Sequence, residues 1–266
     1  MQINRDLVNQ IVLPKPDSHK GENGRVLVIG GSELFHAAPF WAAAAASKIC
    51  DMVHFSSPYL LNNELMEKRA KEQFWSGIVV PWGEVEHYIT EDDAILIGPG
   101  MERGDVTREI VDRLLSQYPD KKWVVDGGAL QEVDTKLLNK RMIVTPNEKE
   151  MRILEGKGGL SSEVTILSKG VVDVISGPKI DKLLVAGGNP GMTKGGTGDV
   201  LAGIVVGLYA KSPAVPSCYV ASSVNKRVGE RLAATKGTFY DAGEMLDLIG
   251  EEMQKIVAQV VGVGVD

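Results

Sequence analysis

Short apolar runs recur along the chain at Arg25 to Ile29, Met52 to Phe55, Ile78 to Val80, Ala94 to Ile97, Trp123 to Val125, Met142 to Thr145, Val164 to Leu167 and Val172 to Ser176. Most are continuous rather than alternating, the pattern of strands buried on both faces. Between several of them apolar residues return at helical spacing, as in Val106, Ile110, Val111, Leu114 and Leu115, with Asp105 placed to cap the helix. This alternation predicts an α/β fold with a mainly parallel central sheet and helices on both faces. After one more run, Leu183 to Val185, a glycine-rich loop leads into three helical stretches, Asp199 to Ala210, Val215 to Ala234 and Asp241 to Gln259. They are expected to complete one face of the layer. No linker-like segment, fixed repeat or shift in composition divides the chain, so residues 1–266 are expected to form one domain.

Composition narrows the function classes. Of 266 residues 44% are hydrophobic and 24% charged, enough apolar material for a large core, which excludes disorder as the main state. Lys and Arg number 29 against 35 Asp and Glu, and no stretch concentrates the cations as a nucleic-acid groove requires, so no nucleic-acid partner is expected. The longest uncharged stretches, Ala37 to Ala46 and Val200 to Ala210, fall short of the ~18 residues of a membrane span. The opening MQINRDLVNQ lacks the apolar core of a signal peptide. Cys50 and Cys218 lie far apart in apolar segments and read as buried small hydrophobes rather than a disulfide. A cytoplasmic protein without membrane partners is the expectation.

The ends of the strands carry the chemistry. The endings IGGS (29 to 32), IGPG (97 to 100), DGGA (126 to 129), TPNE (145 to 148) and SKG (168 to 170) put small residues at the carboxyl ends of parallel strands, where open sheets bind ligands. Any one of them is compatible with a simple turn; five together point to a nucleotide-sized cleft. The sharpest segment is GGNPGMTKGGTGDVLAG (187 to 203). Gly195, Gly196, Thr197 and Gly198 set backbone N–H groups ahead of an apolar helix, where unpaired donors and the helix dipole favour an anion. Asp199 stands beside that anion hole. It is suited to capping the helix, and equally to taking a proton from a hydroxyl that attacks a terminal phosphorus. Asn147 and Glu150 have the spacing of a capping box. A carboxylate at Glu150 also suits a magnesium ion held through water, since Mg²⁺ keeps several waters beside phosphates.

Other chemistries lack their motifs. No Gly-Lys-Ser/Thr follows the first strand, and the glycines at 30 to 31 lack dinucleotide-fingerprint spacing. His19, His36, His54 and His87 show no metal-ligand spacing, and Ser56 and Ser57 lack a nucleophile elbow.

Seven stretches, KGENGRVLVIGGS (20 to 32), AAPFWAA (37 to 43), DAILIGPG (93 to 100), VVDGGAL (124 to 130), IVTPNEKEM (143 to 151), SKGVVDVISG (168 to 177) and GNPGMTKGGTGDVLAGI (188 to 204), resemble the ADP/ATP-dependent NAD(P)H-hydrate dehydratases of the ribokinase-like superfamily. The resemblance runs from about Gly21 to Gln259 and implies a ribokinase-like fold. It also implies repair of hydrated NADH or NADPH, of the S epimer. A nucleotide, ADP or ATP, phosphorylates the ring hydroxyl, and loss of phosphate restores the dihydropyridine. By the same resemblance Asp199 is the base, and Lys169, Gly170, Asp173, Asn189, Gly191, Met192, Thr193 and the loop Gly195 to Gly198 serve the nucleotide. Ala38, Gly100, Asn147 and Asp199 face the hydrated dinucleotide, and Glu150 is associated with Mg²⁺. A homo-oligomer, often a tetramer, is implied, and an epimerase partner is expected on a separate chain.

Four departures from the family pattern stand out, one of them Asn147, where bacterial members often carry His and where Asn can hydrogen-bond but not change charge near neutral pH. Gly128 replaces an acidic residue, Met101-Glu102 follows Gly100 where Leu-Gly is usual, and Lys194 lies inside the glycine loop, where it is placed to offset Glu102 or to contact phosphate. A small-molecule kinase of the same superfamily, acting on an alcohol such as a sugar or a hydroxymethylpyrimidine, is the alternative. A non-catalytic nucleotide sensor is a third reading, against which the retention of Asp199 beside the glycines argues.

Overall fold

The computed structural model describes residues 3–73 and 77–261; the rest of the expected 1–266 domain lies outside the described residues. Among the described residues, nine strands form one sheet: β1 (Arg25–Ile29), β2 (Met52–Ser56), β3 (Ile78–Val79), β4 (Ala94–Ile97), β5 (Lys122–Val125), β6 (Met142–Val144), β7 (Thr165–Ser168), β8 (Asp173–Gly177) and β9 (Ile180–Val185), in the order β3-β2-β1-β4-β5-β6-β7-β8-β9. Seven run parallel, and β8 and β9 add an antiparallel hairpin at one edge. The first residues of β9, Ile180 to Lys182, escape the apolar pattern because this edge strand is largely exposed.

Ten helices accompany the sheet among the described residues: α1 (Arg5–Val8), α2 (Ala37–Ala46), α3 (Leu60–Gln73), α4 (Val85–Glu91), α5 (Asp105–Gln117), α6 (Gly127–Glu132), α7 (Glu148–Gly156), α8 (Thr197–Tyr209), α9 (Ala214–Lys236) and α10 (Ala242–Val261). Successive strand residues point to opposite faces and divide the core in two. Val26, Val28, Leu96, Val124 and Ile143 pack with α2, α8, α9 and α10, while Leu27, Ile29, Ile95, Ile97 and Val125 pack with α5 and α6. The three C-terminal helices thus share one face, as their apolar spacing predicts. Gly104, not Asp105, caps α5, and Asp105 is its first residue.

The helices α2 and α8 approach each other closely. A Cβ on Gly203 would lie 2.2 Å from the Ala42 carbonyl oxygen, so the alanine run of α2 and the glycines of α8 pack backbone to backbone. Cys50 and Cys218 are buried and unbonded, and burial pushes the Cys50 thiol up to about 12 and the Cys218 thiol higher. His54 is buried against Asp92, with Nδ1 2.8 Å from a carboxylate oxygen. No helix among the described residues is long and apolar enough to cross a membrane.

Candidate active site

The chain leaves β1 for β2 on one side and returns to β4 on the other, which opens a crevice beyond the carboxyl ends of β1 and β4. There the Gly31 N–H donates to the Pro99 carbonyl at 2.9 Å. A Cβ on Gly100 would lie 3.3 Å from the Ala38 Cβ, so these two sequence-predicted residues are neighbours, with Ala38 in the first turn of α2. Trp41 follows one turn later on the same face of α2 and packs on Gly196. The crevice therefore runs directly into the glycine loop.

That loop needs its glycine at 196. Gly196 has φ +96° and caps α8, and a Cβ there would meet Ala242 at 2.7 Å and Trp41 at 2.8 Å. The helix begins at Thr197, two residues earlier than its apolar pattern predicts, so Asp199 is the third helical residue and not the cap. Its cap side-chain role thereby falls away. The Thr197 hydroxyl donates to the Met192 carbonyl at 2.6 Å, which holds the loop to the short 3₁₀ turn Pro190–Thr193. Gly195 borders open space, and Gly198 faces the Lys169 ammonium.

Asn147, Lys169, Gly170, Asp173, Asn189, Met192, Thr193, Thr197 and Gly198 line one cleft of 640 Å³, large enough for a nucleotide. Gly191 lies beneath it, with its N–H donating to Asn189 Oδ1 at 2.9 Å. Asn189 Oδ1 also accepts from the Tyr240 hydroxyl at 3.0 Å. Asp173 is buried and turned inward. Its carboxylate accepts from the Gly170 N–H at 2.9 Å and the Ser222 hydroxyl at 2.7 Å, and pairs with Lys226 at 3.3 Å. Asp173 thus shapes the β7–β8 turn.

Asn147 and Glu150 form the capping box that their spacing predicts. Asn147 Oδ1 accepts from the N–H groups of Lys149 and Glu150, and Glu150 Oε2 accepts from the Asn147 N–H at 2.9 Å. Lys194 departs from expectation. Its ammonium donates to the carbonyls of Thr238 at 2.7 Å and Tyr240 at 2.6 Å, so it anchors the α9–α10 loop and not a phosphate or Glu102.

Charge gathers around Lys169, which lines the cleft, while Asp126, Glu150 and Asp199 lie outside its lining. Lys169 Nζ lies 2.6 Å from Asp126 Oδ1 at the end of β5. Burial raises the pKa of Glu150, with Asp126 adding to it and Lys169 opposing. Burial and the neighbouring Asp126 lift Asp199 to about 7, against the pull of Lys169. Burial works to lower Lys169, yet Asp126, Glu150 and Asp199 hold its ammonium above the ordinary value. A half-buried carboxylate titrating near neutrality beside a helix-terminal anion hole is suited to general-base chemistry on phosphoryl groups.

Two charged residues at the site, Lys226 in the cleft lining and Asp126 paired with Lys169, are not among those the sequence predicts for it. Asp126 lies in the VVDGGAL stretch, but its partner is 43 positions away. Lys226 interrupts the apolar face of α9 just after Ser222-Ser223-Val224-Asn225, and that interruption is the available signal.

Sheet order, switch-point crevice and glycine-loop cleft together define a ribokinase-like α/β protein, and a ribokinase-like superfamily protein from Enterococcus faecalis has the same fold, with TM-score 0.78 and 22% identity over 96% of this chain and 95% of that one. The family model for NAD(P)H-hydrate dehydratase matches residues 26–251, and the chain belongs to that family. An ADP-dependent (S)-NAD(P)H-hydrate dehydratase from Cenarchaeum symbiosum is 31% identical over 90% of this chain and 91% of its own. A bifunctional NAD(P)H-hydrate repair enzyme from Methanocaldococcus jannaschii is 32% identical over 88% of this chain; the chain spans about half of it, 48%.

Proposed function

We propose that the protein dehydrates the S epimer of hydrated NADH and NADPH at the expense of ADP or ATP. The observation that carries this is Asp199, lifted to about 7 in the first turn of α8 immediately after the open glycine loop. The nucleotide occupies the 640 Å³ cleft with its phosphates at the N–H groups of Gly195 to Gly198. The hydrated ring lies in the adjoining crevice beside Ala38 and Gly100, with Asn147 at its border.

Asp199 takes the proton of the ring hydroxyl as that oxygen attacks the terminal phosphorus. An O–P bond forms, and the bond from phosphorus to the donor nucleotide breaks. The phosphorylated ring then loses phosphate from the hydroxyl-bearing carbon and a proton from its neighbour, which restores the C=C bond of the dihydropyridine. Hydroxide leaves poorly and phosphate readily, which is why a kinase scaffold can drive a dehydration.

Mg²⁺ fits this site only at one remove. One Glu150 oxygen is held by the Asn147 N–H, and the ammonium of Lys169 stands among the carboxylates, so Glu150 would reach the ion through water. When bound on the nucleotide it would neutralise charge on the phosphoryl oxygens. We place the enzyme in the cytoplasm, as a homo-oligomer. The Cenarchaeum relative is named for the dehydratase alone and is matched over 91% of its length, which supports an epimerase on another chain.

The test adds protein, magnesium and either ADP or ATP to chemically hydrated NADH and NADPH and follows the near-ultraviolet absorbance of the intact dihydropyridine. Nucleotide-dependent recovery is expected and names the donor. No recovery with either nucleotide would overturn the proposal and turn the search to alcohol substrates of a kinase.

A further inference from the structure

Among the described residues, the polar side chains that line the 640 Å³ cleft are committed inside the protein, with one exception. Lys169 pairs with Asp126, and the Asp173 carboxylate holds the Gly170 N–H, Ser222 and Lys226. The Thr193 hydroxyl donates to the Pro190 carbonyl at 2.8 Å, and that of Thr197 to the Met192 carbonyl. Asn147 Oδ1 caps α7, and Asn189 Oδ1 accepts from Gly191 and Tyr240. Lys226 is bonded to the carbonyls of Gly170, Val171 and Gly187. Asn225 is the exception.

Asn225 lies on α9, one helical turn from Ser222 on one side and from Gly229 on the other, and lines the cleft while 5% exposed. Its Oδ1 is buried and has no hydrogen-bond partner among the described residues. A buried amide oxygen left unpaired costs at least as much as a lost hydrogen bond, so one kept in a cleft wall calls for a donor from outside the protein. A half-turn of the amide exchanges its two ends and costs Oδ1 no protein bond, so the oxygen can be offered to the cleft.

The apolar members of the lining, Leu201, Met192 and Val171, suit the faces of a flat heteroaromatic ring, whose edge then needs a polar partner. Ribose hydroxyls both donate and accept, and water serves them. The amino group of adenine only donates, and Asn225 Oδ1 is the acceptor of the lining that lacks a partner of its own. We propose that Asn225 reads the nucleobase of the phosphoryl donor, its Oδ1 accepting a hydrogen bond from the 6-amino group of adenine. Asn225 is then a specificity-determining residue and takes no part in the transfer itself. The inference rests on the nucleotide reading of the cleft.

Titration calorimetry with Mg²⁺ present compares ADP and ATP with the di- and triphosphates of purine riboside, which lack only the 6-amino group. Wild-type protein is expected to bind the adenine nucleotides about tenfold tighter. Asn225→Leu, which has no amide, should bind the adenine nucleotides about tenfold more weakly than the wild type and hold both sets equally. Removing the sugar hydroxyl, as in 2′-deoxy-ADP, should cost both proteins the same factor. Equal wild-type affinity for the two sets, or a variant that keeps the preference, would overturn the proposal. So would a variant that loses its sensitivity to the 2′-hydroxyl instead, which would assign Asn225 to the ribose. If Asn225→Leu does not fold, Asn225→Ala carries the same comparison. Wild-type protein that binds neither ADP nor ATP would overturn the nucleotide reading itself, and this inference with it.

Discussion

The carbonyl oxygen of Met101 stands where a side chain on Gly128 would begin: a Cβ built there would lie 2.0 Å from it. The missing acidic residue at 128, one of the departures from the family pattern, therefore has a steric reason in this chain. The backbone after β4 occupies the room that an acidic side chain on α6 would use.

Restoring the acidic residue by Gly128→Asp should therefore harm the protein. The strand end or α6 must shift, and we expect a loss of about 1–3 kcal/mol with no gain in turnover. Urea denaturation of the variant checks this, and unchanged stability would show that Met101 yields freely.

Asp199→Asn keeps shape and removes the base. Turnover should fall by about 10²–10⁴-fold while nucleotide affinity changes little. In the wild type the base must be ionised, so kcat/KM should decline as pH drops through about 7, the value to which burial and Asp126 lift Asp199. Rate profiles between acid and mildly alkaline pH test this; a profile flat through neutrality would remove Asp199 from the role.

The same carboxylate has a signature in stability. Its pKa is raised from 3.8 to about 7 on folding, so the unfolded chain gives up this proton first. Its contribution is full below the unfolded value and is lost as pH rises through the folded one. Asp199→Asn should match the wild type near pH 3 and exceed it increasingly up to about pH 7, by on the order of 2–4 kcal/mol, with no further gap above. Thermal unfolding across pH reads the difference directly.

Lys194→Ala separates anchoring from phosphate contact. The variant loses the two bonds to the Thr238 and Tyr240 carbonyls. Stability should fall by about 1 kcal/mol, while the dissociation constant for ADP stays within about twofold. A large loss of ADP affinity without loss of stability would restore the phosphate contact.

The strands are legible in the sequence because parallel strands buried on both faces read as unbroken apolar runs. The Asn147–Glu150 capping box is legible because both ends of the bond lie within one turn. Spacing alone does not deliver contacts closed by topology. Asp126 meets Lys169 only because β5 and β7 flank β6, and Lys226 meets Asp173 only because α9 crosses the end of β8. The start of α8 lies two residues ahead of its apolar pattern because Thr197 and Gly198 carry no apolar mark, while the cap is set by the φ of Gly196. The inward role of Lys194 depends on a loop more than forty positions away.

Lys226 gives the nucleotide cleft a mechanical character. From α9 its ammonium donates to the carbonyls of Gly170 and Val171 at 3.1 Å and of Gly187 at 3.3 Å. The two lips of the cleft, the β7–β8 turn and the approach to the glycine loop, thus hang from a single hook. Neither can swing out alone without leaving a buried charge short of partners. The nucleotide accordingly meets a berth that is already shaped, and little of its binding energy is lost in ordering the walls around it.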